Sequence, residues 1–219
     1  MDFLTQVNEM SIRRENGTVV GNVEDKSNLN NPISRALVSG FDESFLRYLK
    51  IAQPKSVHEV GCGEGRMLAF VLERYPRIAV RGTDLSSDTL QIAKDALGDQ
   101  DGLTLVQKPV EALAEPEDHA DLIICCEVLE HVPDPQAALS KLRQLNARLY
   151  LLSVPREPIW RLLNMARFKY WAALGNTPGH LNHWSSKGFQ KWLEAGGFER
   201  VACSRPLPWT MVLCRPIAS

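Results

Sequence analysis

The run from Val57 to Gly65, Val-His-Glu-Val-Gly-Cys-Gly-Glu-Gly, constrains this chain more than any other stretch. A short apolar segment beginning at Ser56 reaches a carboxylate, Glu59, and then three alternating glycines, Gly61, Gly63 and Gly65. A second short apolar segment, Ile78 to Thr83, ends in Asp84. Strand, glycine turn, helix and a second strand ending in an acid form a nucleotide-binding βαβ unit. The glycines let backbone approach a ligand without an intervening Cβ. The acid suits the two hydroxyls of a ribose.

The glycine spacing separates two nucleotide classes. The dinucleotide fingerprint is G-x-G-x-x-G, with a pyrophosphate at the helix N-terminus. Gly61 and Gly63 fit it, but its third glycine position is Arg66, and Gly65 comes one residue early. Glu64 would also set a negative charge beside a pyrophosphate. A dehydrogenase is therefore disfavoured. With Glu59 included, the run reads E-x-G-x-G-x-G and resembles motif I of the class I S-adenosylmethionine-dependent methyltransferases. The resemblance covers roughly residues 54 to 214. It extends to Asp121 through Val132, to Leu152-Ser153-Val154-Pro155 and to Glu194-Ala195-Gly196-Gly197-Phe198.

Bulk properties narrow the partners. The 219 residues, 44% of them hydrophobic, suffice for one domain with a substantial core. With 25 basic and 26 acidic side chains the net charge is −1, so no basic excess is present to bind a nucleic-acid backbone. The segment from Met1 to Gln6 lacks the basic and apolar regions of a signal peptide. No run of about 18 apolar residues predicts a membrane span. Five cysteines, Cys62, Cys125, Cys126, Cys203 and Cys214, form no C-x-x-C pair. Their odd number fits reduced, mostly buried thiols in a cytoplasmic protein better than a disulfide framework.

The order of elements predicts an α/β fold. Residues 1–53 read as a loose polar arm followed by one or two helices over Ile33 to Lys50. Residues 54–219 read as the methyltransferase-like domain. Strands are expected at Ser56–Val60, Ile78–Thr83, Leu103–Val106, Ala120–Cys126 and Ala147–Val154. Helices are expected over Glu64–Arg74, up to Leu97, and over Pro135–Leu145. Strands alternating with helices argue for a parallel sheet covered on both faces. Glu157 to Ala173 reads as an aromatic, basic helical segment, and Ser185–Ala195 as a further helix. Phe198–Ser204 and Pro208–Cys214 are two more strands. The resemblance implies a Rossmann-like doubly wound sheet of seven strands, mostly parallel, with the last two as an antiparallel hairpin. It also implies that the insertion near 157–184 covers the substrate. There Arg156, Trp160, Arg161, Asn164, Arg167, Tyr170 and Trp171 are either substrate contacts or the faces of a surface helix. The arginines suit an acidic or phosphorylated acceptor.

The same resemblance implies S-adenosyl-L-methionine as cofactor, with contacts at Glu59, Gly61, Cys62, Gly63, Gly65, Asp84, Leu85, Val110, Cys126 and Glu127. Glu59 falls near the methionine amino group and Asp84 at the ribose. Around Cys125 and Cys126 the backbone carbonyls matter more than the thiols. One position departs from the family. Pro109 stands where an acid usually meets the adenine amino group, which leaves Val110 or Glu111 for that contact.

Glu127-Val128-Leu129-Glu130-His131 is the remaining cluster. On a helical turn Glu127, Glu130 and His131 share one face, and Pro178-Gly179-His180 to Ser185 adds further histidines. The pattern resembles metal-dependent small-RNA 2′-O-methyltransferases and some ubiquinone-pathway O-methyltransferases. Three readings stand side by side. His131, His180 and Glu130 handle a proton of the acceptor, or the group binds a divalent metal, or it is structural. The expectation is the first, with no metal assigned, a small-molecule acceptor and methylation at oxygen. The alternatives are a metal-dependent RNA 2′-O-methyltransferase and a catalytically silent cofactor-binding module.

Overall fold

The computed structural model describes residues 14–15, 18–19 and 32–217. Strands β1 (Arg14–Glu15) and β2 (Thr18–Val19) pair antiparallel as a separate two-stranded sheet. The rest of the expected N-terminal arm lies outside the described residues. Helix α1 (Pro32–Ala52) is continuous, one helix rather than two. Phe41, Phe45, Tyr48, Leu49 and Ala52 fall on a single stripe and are buried.

The main sheet has seven strands. They are β3 (Ser56–Val60), β4 (Ala79–Asp84), β5 (Leu103–Gln107), β6 (Leu122–Cys126), β7 (Leu149–Pro155), β8 (Phe198–Ser204) and β9 (Trp209–Pro216). Their order is β5-β4-β3-β6-β7-β9-β8. The first five are mutually parallel, β9 runs antiparallel to β7, and β8 antiparallel to β9. The expected seven-stranded, mostly parallel sheet with a C-terminal antiparallel hairpin is thus present. Helices α2 (Arg66–Arg74), α3 (Ser87–Leu97), α4 (Pro135–Gln144), α5 (Ile159–Ala166) and α6 (Ser186–Ala195) complete the fold.

Alternation along β6 explains its unbroken apolar run. Leu122 and Ile124 pack with Phe45, Leu68 and Val71 from α1 and α2. Ile123 and Cys125 face Leu139, Leu142, Phe189 and Leu193 from α4 and α6. Both faces are covered, so both residue sets must be apolar. Burying each large apolar side chain contributes roughly 1.5–3 kcal/mol.

The exception in β3 is His58, fully buried in mid-strand. Its Nδ1 donates to the Asp118 carbonyl at 2.8 Å, so Nε2 accepts from Thr83 Oγ1 at 3.0 Å. Burial pushes the imidazole below its ordinary pKa and keeps it neutral. Asp118 in turn takes Arg81 Nε at 3.1 Å and Lys108 Nζ at 2.9 Å, which locks the entry to β6 against β4 and β5.

Side-chain caps fix the helix starts. Ser86 accepts from Thr89 N, Asp134 from Ala137 N and Ser185 from Gly188 N. α2 begins at Arg66, two residues after its expected start, because the glycine turn runs through Gly65, whose φ is +81°.

Candidate functional site

In an open α/β sheet, ligands bind beyond the carboxyl ends of the strands where the strand order reverses. Here that point lies between β3 and β6, whose neighbours β4 and β7 sit on opposite sides. The glycine turn leaves β3 at that point and the Glu127–His131 segment leaves β6. The two touch. A Cβ on Gly61, whose φ is +73°, would lie 2.2 Å from Val128 Cγ2. Gly63 differs, with φ +52° and no atom within 4 Å of where its Cβ would stand. The turn is therefore closed on its protein side and open over Gly63.

Hydrogen bonds hold the turn to the end of β4. Gly61 N and Cys62 N both donate to Thr83 O, at 2.7 and 3.0 Å. Asp84 Oδ2 accepts from Gly63 N at 2.8 Å, and Oδ1 from Ser86 N at 2.9 Å and Thr89 Oγ1 at 3.3 Å. Asp84 thus ties the turn to the start of α3, while the cap itself belongs to Ser86. Leu85, half-buried, gives its carbonyl to Gln107 Nε2 at 2.9 Å. Val110 opens a 3₁₀ turn, Val110–Ala112, after Pro109, and its side chain packs into the core. Glu111, the other residue weighed for the adenine contact, is exposed.

Glu59 is buried at the end of β3, and its Oε2 has no hydrogen-bond partner. Burial, with Asp84 as a second contributor, raises its carboxyl well above the usual range. An orphaned buried carboxylate oxygen beside an open glycine turn suits a cationic amino group. The donor set therefore fits the methionine end of S-adenosylmethionine. Cys62, Cys125 and Cys126 have thiols pushed up by burial, which keeps them protonated and unreactive. All five cysteines are free.

The Glu127–His131 segment corrects one expectation. It is a turn and not a helix, closed by His131 N donating to Val128 O at 2.9 Å. Glu127 has φ +59°, in the left-handed region, and its carboxyl is taken up by residues of β7 and β9. It accepts from Ser153 Oγ at 2.9 Å and from Trp209 Nε1 at 2.6 Å. Burial pushes its carboxyl up to about 8. The i, i+3, i+4 face therefore does not form, because the positive φ breaks the helical path.

Glu130, His131 and His180 do come together, each offering a ligand atom within 4.8 Å of the others. His131 Nδ1 lies 3.0 Å from the Gly179 carbonyl. A carbonyl only accepts, so Nδ1 carries the proton and Nε2 presents a lone pair, 4.0 Å from Glu130 Oε1. Both Glu130 oxygens are buried without a partner. Burial, then the neighbouring Glu127, raises its carboxyl well above the ordinary range. His180 lies edge-on to His131 at 4.9 Å, stacks on Trp160 at 5.7 Å, and is pushed down to about 3 by burial and by His131.

The insertion is clamped over this cluster. Leu181 N and Asn182 N donate to Glu130 O at 2.7 and 3.1 Å, and Asn182 Nδ2 donates to Leu129 O and Val132 O. Only Ile159–Ala166 and the 3₁₀ turn Trp171–Ala173 are helical within the expected Glu157–Ala173 segment. Arg161 pairs with Glu157 at 3.6 Å, whereas Arg156 Nε is buried without a partner. Sequence reasoning gave no site role to Trp209, Ser153 or Asn182. Ser153 stood inside a quoted motif. Asn182 stands inside the Pro178–Ser185 run read for its histidines, and Trp209 carries no local signal.

With this geometry in view, comparison with known proteins gives three findings. The "Methyltransferase domain" family matches residues 35–202. A ubiquinone biosynthesis O-methyltransferase of Coxiella burnetii is 31% identical over 160 residues, covering 65% of this chain and 66% of that protein, just under two thirds of its length. Among solved structures, the methyltransferase domain of bacterial-CtHen1-CN superposes with a TM-score of 0.66 at 21% identity, covering 82% of this chain and 99% of that one. Magnesium protoporphyrin IX methyltransferase from Synechocystis PCC 6803, solved with bound S-adenosylhomocysteine, gives 0.63 at 19% identity, covering 85% and 88%. No helix among the described residues is long and apolar enough to cross a membrane.

Proposed function

Since the chain belongs to the class I S-adenosylmethionine-dependent methyltransferase family, we propose that it transfers a methyl group to a hydroxyl oxygen of a small-molecule acceptor. The observation that carries this reading is the unprotonated Nε2 of His131, fixed by the Gly179 carbonyl and set against Glu130 and His180. The cofactor supplies an electrophilic methyl on a sulfonium leaving group. His131 Nε2 accepts the hydroxyl proton as the oxygen–carbon bond forms and the carbon–sulfur bond breaks. Trp160 and the Glu130 carbonyl clamp hold the imidazoles in place and exclude water. The oxygen acceptor is supported by the likeness to the Coxiella O-methyltransferase. The small acceptor is supported by the net charge of −1, which offers no general affinity for a polyanion.

A second reading has its own observation. Two unpartnered Glu130 oxygens lie within reach of two histidines, a donor set that fits a divalent cation. Glu130, His131 and His180 would hold it, and it would acidify the acceptor hydroxyl.

The test is release of S-adenosylhomocysteine from S-adenosylmethionine with phenolic and catecholic acceptors and, separately, a short RNA with free 2′-hydroxyls. Turnover on the small acceptors is expected. Methylation of RNA alone, or at nitrogen or carbon alone, overturns the proposal, and cofactor binding with no turnover on any acceptor identifies a silent module.

Two binding predictions arise from the same site. The protein should bind S-adenosylhomocysteine and not NAD, and Asp84→Ala should weaken that binding roughly tenfold or more while the chain stays folded. Unchanged affinity would leave Asp84 with only its turn-tying role. Burial raises the Glu59 carboxyl well above the ordinary range in the free protein, and an ammonium favours its ionised form. Binding should therefore release a proton from Glu59 at pH values below its raised pKa. Calorimetry in two buffers of different ionisation enthalpy reads that release directly. Glu59→Gln should abolish it, and equal proton release in the variant would exclude Glu59 as the source.

A further inference from the structure

One side chain of β9 reaches both supports of His131. Trp209 opens β9, and the antiparallel ladder sets it opposite Pro155 at the site end of β7. Its indole reaches past β7 to the end of β6, where Nε1 donates to Glu127 Oε2 at 2.6 Å. Its ring lies 5.8 Å from that of Trp160 in the insertion, and edge-on to Phe41 of α1 at 5.1 Å. Trp160 stacks on His180, which meets His131 edge-on. One half-buried indole thus touches both the loop and the wall between which the His131 imidazole stands.

The loop needs such a hold. Glu127 has φ +59°, which a residue bearing a Cβ keeps only where its surroundings impose it. Three bonds impose it here. Glu127 N donates to Ser153 O at 3.1 Å, Ser153 Oγ donates to Glu127 Oε1 at 2.9 Å, and Trp209 donates to the other oxygen. Ser153, fully buried in β7, grips both the backbone and the side chain. Ionised or protonated, the carboxyl keeps both partners, because a serine hydroxyl accepts as well as donates. A carboxyl held at both oxygens has one orientation. From Val128 the chain closes as a turn, His131 N donating to Val128 O at 2.9 Å. The direction in which the loop leaves β6 therefore sets where His131 stands.

We propose, on the reading that His131 takes the acceptor proton, that Trp209 is a positioning residue for methyl transfer: its N–H fixes Glu127 and its ring fixes Trp160, so one indole aligns the loop and the wall around His131. Trp209 acts through these neighbours and not by touching the reacting atoms. Glu127 then serves by hydrogen bonding and not by charge. Glutamine meets the same demand at 127, its amide oxygen accepting from Trp209 and its amide nitrogen donating to the Ser153 hydroxyl. Leucine there meets neither. Phenylalanine at 209 keeps a ring against Phe41 and Trp160 but leaves Glu127 Oε2 without its bond.

The experiment compares Trp209→Phe, Glu127→Gln and Glu127→Leu with wild type by kcat, acceptor KM and S-adenosylhomocysteine affinity, and follows the His131 ring N–H by proton NMR. Trp209→Phe and Glu127→Leu should each lower kcat by roughly 10–10²-fold, the scale for a slightly displaced reacting group. Acceptor KM and S-adenosylhomocysteine affinity should stay within about threefold. Glu127→Gln should stay within about threefold of wild type in all three. The Nδ1–H of His131, bonded to Gly179 O, should give an exchange-protected signal in wild type and Glu127→Gln, identified by its absence from His131→Ala. In Trp209→Phe it should shift or broaden. An unchanged kcat or an unaltered His131 signal in folded Trp209→Phe overturns the proposal. So does Glu127→Gln as slow as Glu127→Leu, which would give the role to the carboxyl charge. An equal fall in S-adenosylhomocysteine affinity also overturns it, since Trp209 would then support the cofactor turn. If wild type methylates no small-molecule hydroxyl, the reading of His131 as base falls, and the NMR signal alone decides whether Trp209 positions that ring. If Trp209→Phe does not fold, the contrast between glutamine and leucine at 127 decides.

Discussion

His131→Ala should lower turnover by roughly 10²–10⁴-fold, the range for losing a general acid–base group, with S-adenosylhomocysteine affinity within about threefold of wild type. The imidazole is anchored through Nδ1 to Gly179, directs Nε2 at Glu130 and lies edge-on to His180, away from the glycine turn. His180→Ala should reduce turnover similarly, since His180 packs edge-on against His131 and its loss unseats Trp160. The double variant should be little worse than either single one, because the two imidazoles act as one unit. Neither substitution separates base from metal ligand, as both roles are lost together. Chelator applied to the wild type does so. Activity that survives chelator is expected, since burial raises the Glu130 carboxyl well above the ordinary range and disfavours its charged form. Activity that is abolished, then restored by magnesium or manganese, assigns the cluster to a cation. Unchanged turnover in both variants removes His131 and His180 from the chemistry altogether.

The legibility of this site in sequence follows the range of the interactions that build it. The glycine turn and Asp84 are local devices within one βαβ unit, so their spacing carries the geometry. The β6 run is buried on both faces, and continuous apolar character marks it, whereas β3 is as buried but carries His58 and Glu59. The hairpin β8–β9 was different. Its pairing to β7 is a long-range match, Leu152 to Val212 for example, and its placement was supplied by family resemblance. The Glu127–His131 segment misled because i, i+3, i+4 spacing implies one face only if the backbone is helical. A positive φ at Glu127 breaks that condition, and the cause lies elsewhere in the chain, in Ser153 and Trp209. The meeting of His180 with Glu130 is implied by the family resemblance, but the carbonyl clamp that enforces it, through Leu181 and Asn182 amides, has no side-chain signature. Backbone hydrogen bonds of this kind are invisible to residue pattern.

Gly61→Ala tests whether the cofactor turn and the proton-handling loop are one mechanical unit. Two costs combine at this residue. A non-glycine residue at φ +73° loses ~1–2 kcal/mol. Its Cβ would also stand 2.2 Å from Val128 Cγ2, a contact that must be relieved by moving either the turn or the loop. Overpacking of this kind costs about 1–3 kcal/mol. Together they amount to a loss of roughly 10²-fold or more in S-adenosylhomocysteine affinity, with turnover falling further because Val128 lies between Glu127 and His131. Val128→Ala should then restore part of the binding in the double variant. With both Cγ atoms gone, the nearest approach becomes the ordinary 3.4 Å to Val128 Cβ. The backbone cost remains, so recovery should stop about tenfold short of wild type. That partial rescue is the diagnostic result, since a double-mutant cycle isolates the contact from the φ cost. Gly61→Ala binding the product as wild type does would show that the turn yields without strain. A folded double variant no better than Gly61→Ala would show that the Val128 contact does not link the two loops.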